Sequence, residues 1–420
     1  MALSSALRLV MLWSSLAALG ASTSRQLVLV WNFGDHSALR AIPDTAQLKW
    51  PSGLAMLSQD GVAGGVQLGQ ILQSRYVYDL GLLDLSNADE IHIESSRRNL
   101  SQTMAQTVAA GLWSLNGARW PRAWRPLPIA KLDADVSCDF AESRLNGRVF
   151  TARWFRDANN LEFLRGLFVN ARMNVTAVES VRPLYYLWDA LNSMKDEFGR
   201  LPSWIDADSF QTMKSLLDAA FAIGFNDPTV GTLMGDILRN MVLMRDCNSF
   251  QDIATCWRKH PAKFIGYSTD DITLHALVSS LGLGQASIPG PASALVFELW
   301  RRDDGQFEVA VLYKTGARQK LREMVVGGCF DLVCPLERFG RRLETFLPTE
   351  WNIECGGVKP IDSSFEPLSK YCVEESDASK ECLSWAQFNY CALDEGVRYL
   401  WCRRTCLCDP QFARSLRRST

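Results

Sequence analysis

Twelve cysteines constrain this 420-residue chain more than any other feature. Six are spread over positions 138, 247, 256, 329, 334 and 355, and six crowd into 372, 382, 391, 402, 406 and 408. Thiols in such numbers stay oxidised only outside the reducing cytosol, so an even count behind an export signal reads as a disulfide framework. The N-terminus supplies that signal. Arg8 precedes an apolar run from Leu9 to Leu19, broken only by Ser14 and Ser15, and small residues follow at Gly20, Ala21, Ser22 and Ser24. The run is too short to span a bilayer, which favours a cleaved signal peptide over residues 1–23; a buried N-terminal helix is the alternative. The chain is therefore expected in the extracellular space. Asn99-Leu100-Ser101 and Asn174-Val175-Thr176 then become glycosylation sequons. The C-terminal Arg417-Arg418-Ser419-Thr420 is basic rather than apolar, which argues against a lipid anchor. Zinc is the rival for the terminal cysteines, but no histidine follows His275, and an all-cysteine site would leave two thiols over.

Apolar residues make up 47% of the chain and charged residues 21%, enough for a large core, and the net charge of -2 gives no attraction to nucleic acid or an acidic membrane surface. No other segment is apolar enough to span a membrane. Gln26 to Trp31 reads as a buried strand, and Glu90 to Ser95 alternates as a second. Gly61 to Tyr76 reads as a helix with Val62, Val66, Ile71 and Leu72 inward, and Leu100 to Trp113 as another. Residues 157–246 read as helices broken near Asn174, Gly199 to Ser203 and Asn226 to Pro228. Phe264 to Ser268 is a strand, Asp271 to Leu283 a helix, and residues 294–301 and 306–313 a hairpin around Asp304-Gly305. Strands at both ends with helices between predict an α/β fold: a central sheet flanked by helices, with a helical insertion over about 140–260. Residues 356–371 read as a linker to a small disulfide-rich domain at 372–408, followed by a basic tail at 409–420. Few contacts are expected across that linker, and the tail is expected to fold on its own, with Trp385 and Trp401 in its core.

Several blocks resemble the eukaryotic histidine acid phosphatases. Val28-Leu29-Val30-Trp31-Asn32-Phe33-Gly34-Asp35-His36-Ser37-Ala38 stands where that family has a strand running into R-H-G-x-R-x-P. Trp50-Pro51, Gly53, Leu57, Gly61, Leu68-Gly69 and Arg75-Tyr76 are similar to its second block. Leu201-Pro202-Ser203-Trp204, Phe297-Glu298-Leu299-Trp300, Cys334-Pro335-Leu336-Glu337-Arg338-Phe339 and Trp351 to Cys355 follow in order. The resemblance implies a phosphatase-like domain over 25–355, often dimeric in relatives.

It also implies a chemistry that these residues no longer support. In the family a histidine attacks phosphorus, arginines hold the phosphoryl oxygens, and an aspartate after a second histidine protonates the leaving alcohol. By resemblance Asn32 replaces the first motif arginine, Phe33 the nucleophile and His36 the second arginine. Glu94 replaces a later strand-end arginine, and Asp270 the histidine of the His-Asp pair; Asp271 alone is kept. Phenylalanine has no lone pair to attack with. Loss of one charge-stabilising group costs about 10²–10³ in rate. Carboxylates at 94, 270 and 271 would also repel a phosphate dianion, by roughly 4 kcal/mol per pair at about 4 Å and an effective dielectric of 20.

The expected reading is a pseudophosphatase that binds an extracellular protein, carbohydrate or small molecule and needs no metal or other cofactor. The alternatives are a weak or altered hydrolase, using His36, His275 or a metal held by Glu94, Asp270, Asp271 and His36, and a carrier for the tail. By resemblance Cys138 pairs with Cys355 and Cys329 with Cys334. Cys247 and Cys256, without a family counterpart, are paired with each other. From Cys372 the chain resembles the ShK toxin-like module, through Cys382-Leu383-Ser384-Trp385-Ala386 and Cys402-Arg403-Arg404-Thr405-Cys406. That resemblance implies Cys372–Cys408, Cys382–Cys402 and Cys391–Cys406. The channel-blocking members carry a Lys-Tyr pair where this chain has Gly396 and Val397, so a plain interaction module is the simpler reading.

Overall fold

The computed structural model describes residues 23–43, 48–114, 127–132, 157–174, 181–224, 231–249, 262–284 and 287–344, and in the tail 377, 379–388, 390–393, 397, 401–402 and 404–409. In chain order the elements are β1 (Thr23–Asn32), α1 (Gln59–Leu72, continued by a π-helical stretch Gln73–Asp79), β2 (Ile91–Ser95), α2 (Asn99–Leu112) and β3 (Ile129–Lys131). The helices α3 (Ala158–Asn170), α4 (Val181–Phe198), α5 (Ala207–Gly224) and α6 (Gly231–Ser249) form the insertion. Next come β4 (Phe264–Thr269), α7 (Asp271–Ser280), β5 (Ala294–Arg301), β6 (Phe307–Lys314), β7 (Arg322–Met324), β8 (Val333–Pro335) and α8 (Leu336–Glu344). The tail holds α9 (Cys382–Gln387) and α10 (Tyr390–Leu393).

The strands make one sheet in the order β3-β2-β4-β1-β5-β6-β7, with β8 paired to β6. β1 runs parallel to β4 and antiparallel to β5, so it is the seam between a parallel half and an antiparallel half. It is buried on both faces, which is why its sequence is apolar without alternation. Leu27, Leu29 and Trp31 pack toward α1 and α2, while Val28 and Val30 pack toward the insertion helices and α7. Chain connections diverge at such a seam, and a crevice opens beyond the carboxyl ends of its parallel strands.

The inward face of α1 differs from the sequence expectation. Of the four predicted positions only Leu72 is buried; Val62 is exposed, and Val66 and Ile71 are half-buried. The buried stripe is Gly61, Gly64, Gly65, Leu68 and Gly69. A Cβ at Gly65 would lie 2.0 Å from the Thr107 hydroxyl and one at Gly69 2.2 Å from the Val108 carbonyl, so α1 seats on α2 through bare backbone. Hydrophobic periodicity is blind to a face made of glycine.

Disulfides join Cys329 to Cys334, Cys382 to Cys402 and Cys391 to Cys406. Cys247 and Cys408 are also bonded. Their expected partners Cys256 and Cys372, both ends of Cys138–Cys355, residues 1–22 of the expected signal peptide and the linker lie outside the described residues, whereas Thr23 opens β1. The tail touches the large domain at Trp401. Trp401 packs on the main core as well as on the tail's own cysteine cluster, and the Arg245 guanidinium of α6 sits 4.3 Å from its ring centroid. Among the described residues no helix is long and apolar enough to cross a membrane.

Candidate functional site

The crevice beyond β1 and β4 collects side chains from four segments. The loop after β1 contributes Phe33 and His36, the residues after β2 contribute Arg98, α4 contributes Tyr185 and Asp189, and the β4–α7 junction contributes Asp270 and Asp271. The loop after β1 is fixed by its contacts with the start of α1. Ser58 donates its hydroxyl to Asp35 at 2.7 Å, and Ser37 donates to the Gly53 carbonyl at 2.6 Å. Gly34 and Gly61 let the two backbones touch: a Cβ on Gly34 would stand 2.7 Å from the Gly61 Cα.

Phe33 is only 2% exposed, and its ring meets the His36 ring edge-on with centroids 4.8 Å apart. Asn32 is buried beside it, donating from Nδ2 to the Gly290 carbonyl at 3.0 Å. His36 has no nitrogen to spare. Nδ1 lies 3.0 Å from the Gly34 carbonyl, and Nε2 lies 3.0 Å from Asp189 Oδ1. Both partners are acceptors, an arrangement that favours a proton on each nitrogen. Burial opposes that charge, but Asp189, the Gly34 carbonyl and Asp271 outweigh it, and the His36 pKa is raised. Asp189 is held in turn by the Leu39 amide, at 2.8 Å from its other oxygen.

Asp270 caps α7, accepting from the Thr273 amide at 2.8 Å, and its second oxygen is 3.1 Å from an Arg98 guanidinium nitrogen. Asp271, next in sequence, is buried and faces the Tyr185 hydroxyl, 3.0 and 2.9 Å from its two oxygens. Burial, then the charges of Asp270 and Asp189, push its pKa up to about 7, against the pull of Tyr185 and His36. Burial pushes the Tyr185 phenol well above its ordinary range, so Tyr185 acts as a donor. The site thus consists of two ion pairs, His36–Asp189 and Arg98–Asp270, around one carboxyl group that keeps its proton into the neutral range. Such a carboxyl can donate a proton. Nothing in the group is a free nucleophile.

Glu94 has other company. Its carboxylate is 2.9 Å from His92 Nε2, and none of its described polar contacts reaches Asp270 or Asp271. His275 is 1% exposed, lies against the Phe221 ring of α5, and has its pKa lowered by burial; it is a core residue away from the crevice. Among the described residues no three His, Cys, Asp or Glu side chains converge as a metal site. The structure brings Phe33, His36, Asp270 and Asp271, which sequence reading named, together with Asp189, Tyr185 and Arg98, which it did not. Tyr185 and Asp189 were signalled: they stand four apart on the buried face of α4, and a carboxylate there needs a partner. Arg98 carried no comparable signal.

A sequence profile of the histidine phosphatase superfamily (branch 2) matches residues 21–314. Putative acid phosphatase 5 of Caenorhabditis elegans is 29% identical over 78% of this chain and 78% of its own length. Lysosomal acid phosphatase of Rattus norvegicus is 25% identical over 80% and 81%. The solved phytase of Citrobacter braakii superposes with a TM-score of 0.56 at 14% identity, covering 80% of this chain and 100% of that one, a likeness of fold.

Proposed function

The chain belongs to branch 2 of the histidine phosphatase superfamily, and from that premise we propose that it is a secreted, histidine acid phosphatase-like glycoprotein that binds a ligand in its crevice without hydrolysing phosphate monoesters. The observation that carries the reading is the Phe33–His36 pair. Phenylalanine occupies the position that the resemblance gives to the nucleophile, and the neighbouring imidazole has both nitrogens committed. Arg98, the cation nearest Asp270, is already paired with it. Among the described residues, a phosphoryl group arriving at the His36–Asp271 cluster would meet no uncommitted nucleophile, and the arginine paired to Asp270 is not free to hold it. The signal peptide, the two sequons and a ShK-like module at 372–408 complete the proposal. The bonds Cys382–Cys402 and Cys391–Cys406 support the module, since they join its second cysteine to the fourth and its third to the fifth.

Asp271, protonated into the neutral range, is what favours the second reading, a hydrolase of altered chemistry. One experiment separates the two. Purified secreted protein is assayed on an aryl phosphate across about pH 4 to 7, where carboxylates and histidine titrate. No turnover above background is expected, from the wild type or from Phe33→His. Turnover that survives purification and is lost in His36→Ala would establish the altered hydrolase. Turnover gained in Phe33→His would show that the remaining groups suffice once a nucleophile is present.

A further inference from the structure

We propose that an N-linked glycan on Asn99 roofs the crevice and limits it to small ligands. The inference rests on the secreted reading above and adds what can enter the site. Asn99 is the first residue of α2, and the residues on either side of it are held by the fold. Arg98, the N-cap, reaches Asp270. Leu100 is buried. Ser101 is buried as well, donating its hydroxyl to the Thr269 carbonyl at 3.0 Å and accepting at its own carbonyl from Ser268 Oγ at 2.7 Å. The first turn of α2 is therefore riveted to the last two residues of β4, immediately before Asp270 and Asp271. Within residues 98–101 only Asn99 is exposed. Its side chain makes no hydrogen bond among the described residues, and α2 has no side-chain cap that the amide would have to supply.

One arginine side chain spans the distance from this turn to Asp270, and the same guanidinium lies near Tyr185 and Tyr186. An oligosaccharide of several sugars is longer than that span. Rooted at Asn99, it covers the rim formed by Arg98 and by Tyr186, whose ring lies under the Arg40 guanidinium at 4.5 Å. Small molecules pass such a roof, whereas a folded partner does not reach His36 or Asp271. The transfer itself is ordinary: Asn99 Nδ2 forms a bond to sugar C1 of a lipid-linked oligosaccharide diphosphate and gives up one proton, while the C1–O bond breaks and the lipid diphosphate leaves. It precedes folding, so the later burial of Ser101 does not oppose it.

The test uses full-length protein expressed in animal cells. Glycopeptide mass spectrometry reads occupancy of Asn99 and Asn174. Hydroxyl-radical footprinting reads Tyr186 oxidation before and after enzymatic removal of N-glycans from the folded protein, with Phe330 (89% exposed) as the control. Occupied Asn99 is expected. Tyr186 oxidation should rise on deglycosylation and in Asn99→Gln, and stay unchanged in Asn174→Gln, with Phe330 constant throughout. An empty Asn99 beside an occupied Asn174 overturns the roof and leaves the secreted reading standing. An occupied Asn99 whose removal leaves Tyr186 unchanged also overturns the roof alone. A chain found in the cytosol with neither asparagine modified overturns both.

Discussion

Two buried charge clusters are built on opposite plans. Under the π-helical end of α1, Glu298 of β5 accepts from Arg75 at 2.6 and 3.0 Å, from the Tyr76 hydroxyl at 2.5 Å and from the Trp300 indole at 3.1 Å. One carboxylate meets one permanent cation and two neutral donors, and every lone pair has a partner. The Arg75 pKa is raised by that carboxylate, so the guanidinium keeps its charge. In the crevice three carboxyl groups, Asp189, Asp270 and Asp271, face one arginine and one histidine, and the balance is completed by a proton. A cluster that serves the fold alone is satisfied by permanent charges. A cluster whose charge depends on pH is the usual mark of a ligand site, and it survives here without a nucleophile.

The largest effect expected is in the first cluster. Glu298→Ala strands a cation and two donors, and should destabilise the fold by about 3 kcal/mol, the low end for a broken buried pair because Arg75 is a third exposed and partly screened. Urea unfolding at neutral pH measures it. A loss below about 1 kcal/mol would put this cluster in the class of surface ion pairs.

The crevice should respond to pH instead. An unfolded aspartate releases its proton near 3.8, whereas folded Asp271 holds it to about 7. Between those values the folded state binds the extra proton, so stability is greatest at the acid end and falls as pH rises toward 7. His36 acts in the same direction, because its pKa is raised on folding: its contribution is full below about 6.5 and is lost as pH rises through the folded value. The combined fall should be on the order of 2 kcal/mol between about pH 4 and 7, less than the isolated Asp271 shift would give because the groups titrate together. Urea midpoints across that range give the slope. Asp271→Asn should flatten it, whereas Glu298→Ala leaves the Asp271 contribution to the slope in place. A slope that Asp271→Asn leaves intact would remove the distinction between the clusters.

The smallest effect concerns a third charge, Arg245, held by both a carboxylate and a ring. It pairs with Asp246 at 2.8 Å and also lies on Trp401 of the tail. Trp401→Ala should cost the large domain about 1 kcal/mol, the scale of a cation–π contact at a partly exposed site. A double-mutant cycle with Arg245→Ala isolates the coupling. Zero coupling would return the tail to the status of a freely hinged appendage.

The sequence by itself determined the α/β class, β1 as a buried strand, the helical insertion and the hairpin of β5 and β6. These follow from apolar runs, alternation and turn residues, which act over a few positions of chain. It also determined the absence of a nucleophilic side chain at Phe33, since composition alone decides what atoms a residue lacks. Only the tertiary structure decided the seat of α1 on its glycines, because close packing of backbone leaves no hydrophobic signature. Only the tertiary structure decided that Arg98 neutralises Asp270, that Asp189 commits His36 across 153 positions of sequence, and that Glu94 turns to His92 instead. Charge interactions depend on distance and burial, and β-strand pairing and helix packing bring together residues that no local pattern associates. The same identity, aspartate, is therefore ion-paired with Arg98 at position 270 and buried with a pKa raised to about 7 at 271. Although the family resemblance gave the two different places in the site, the dipeptide alone showed neither partner.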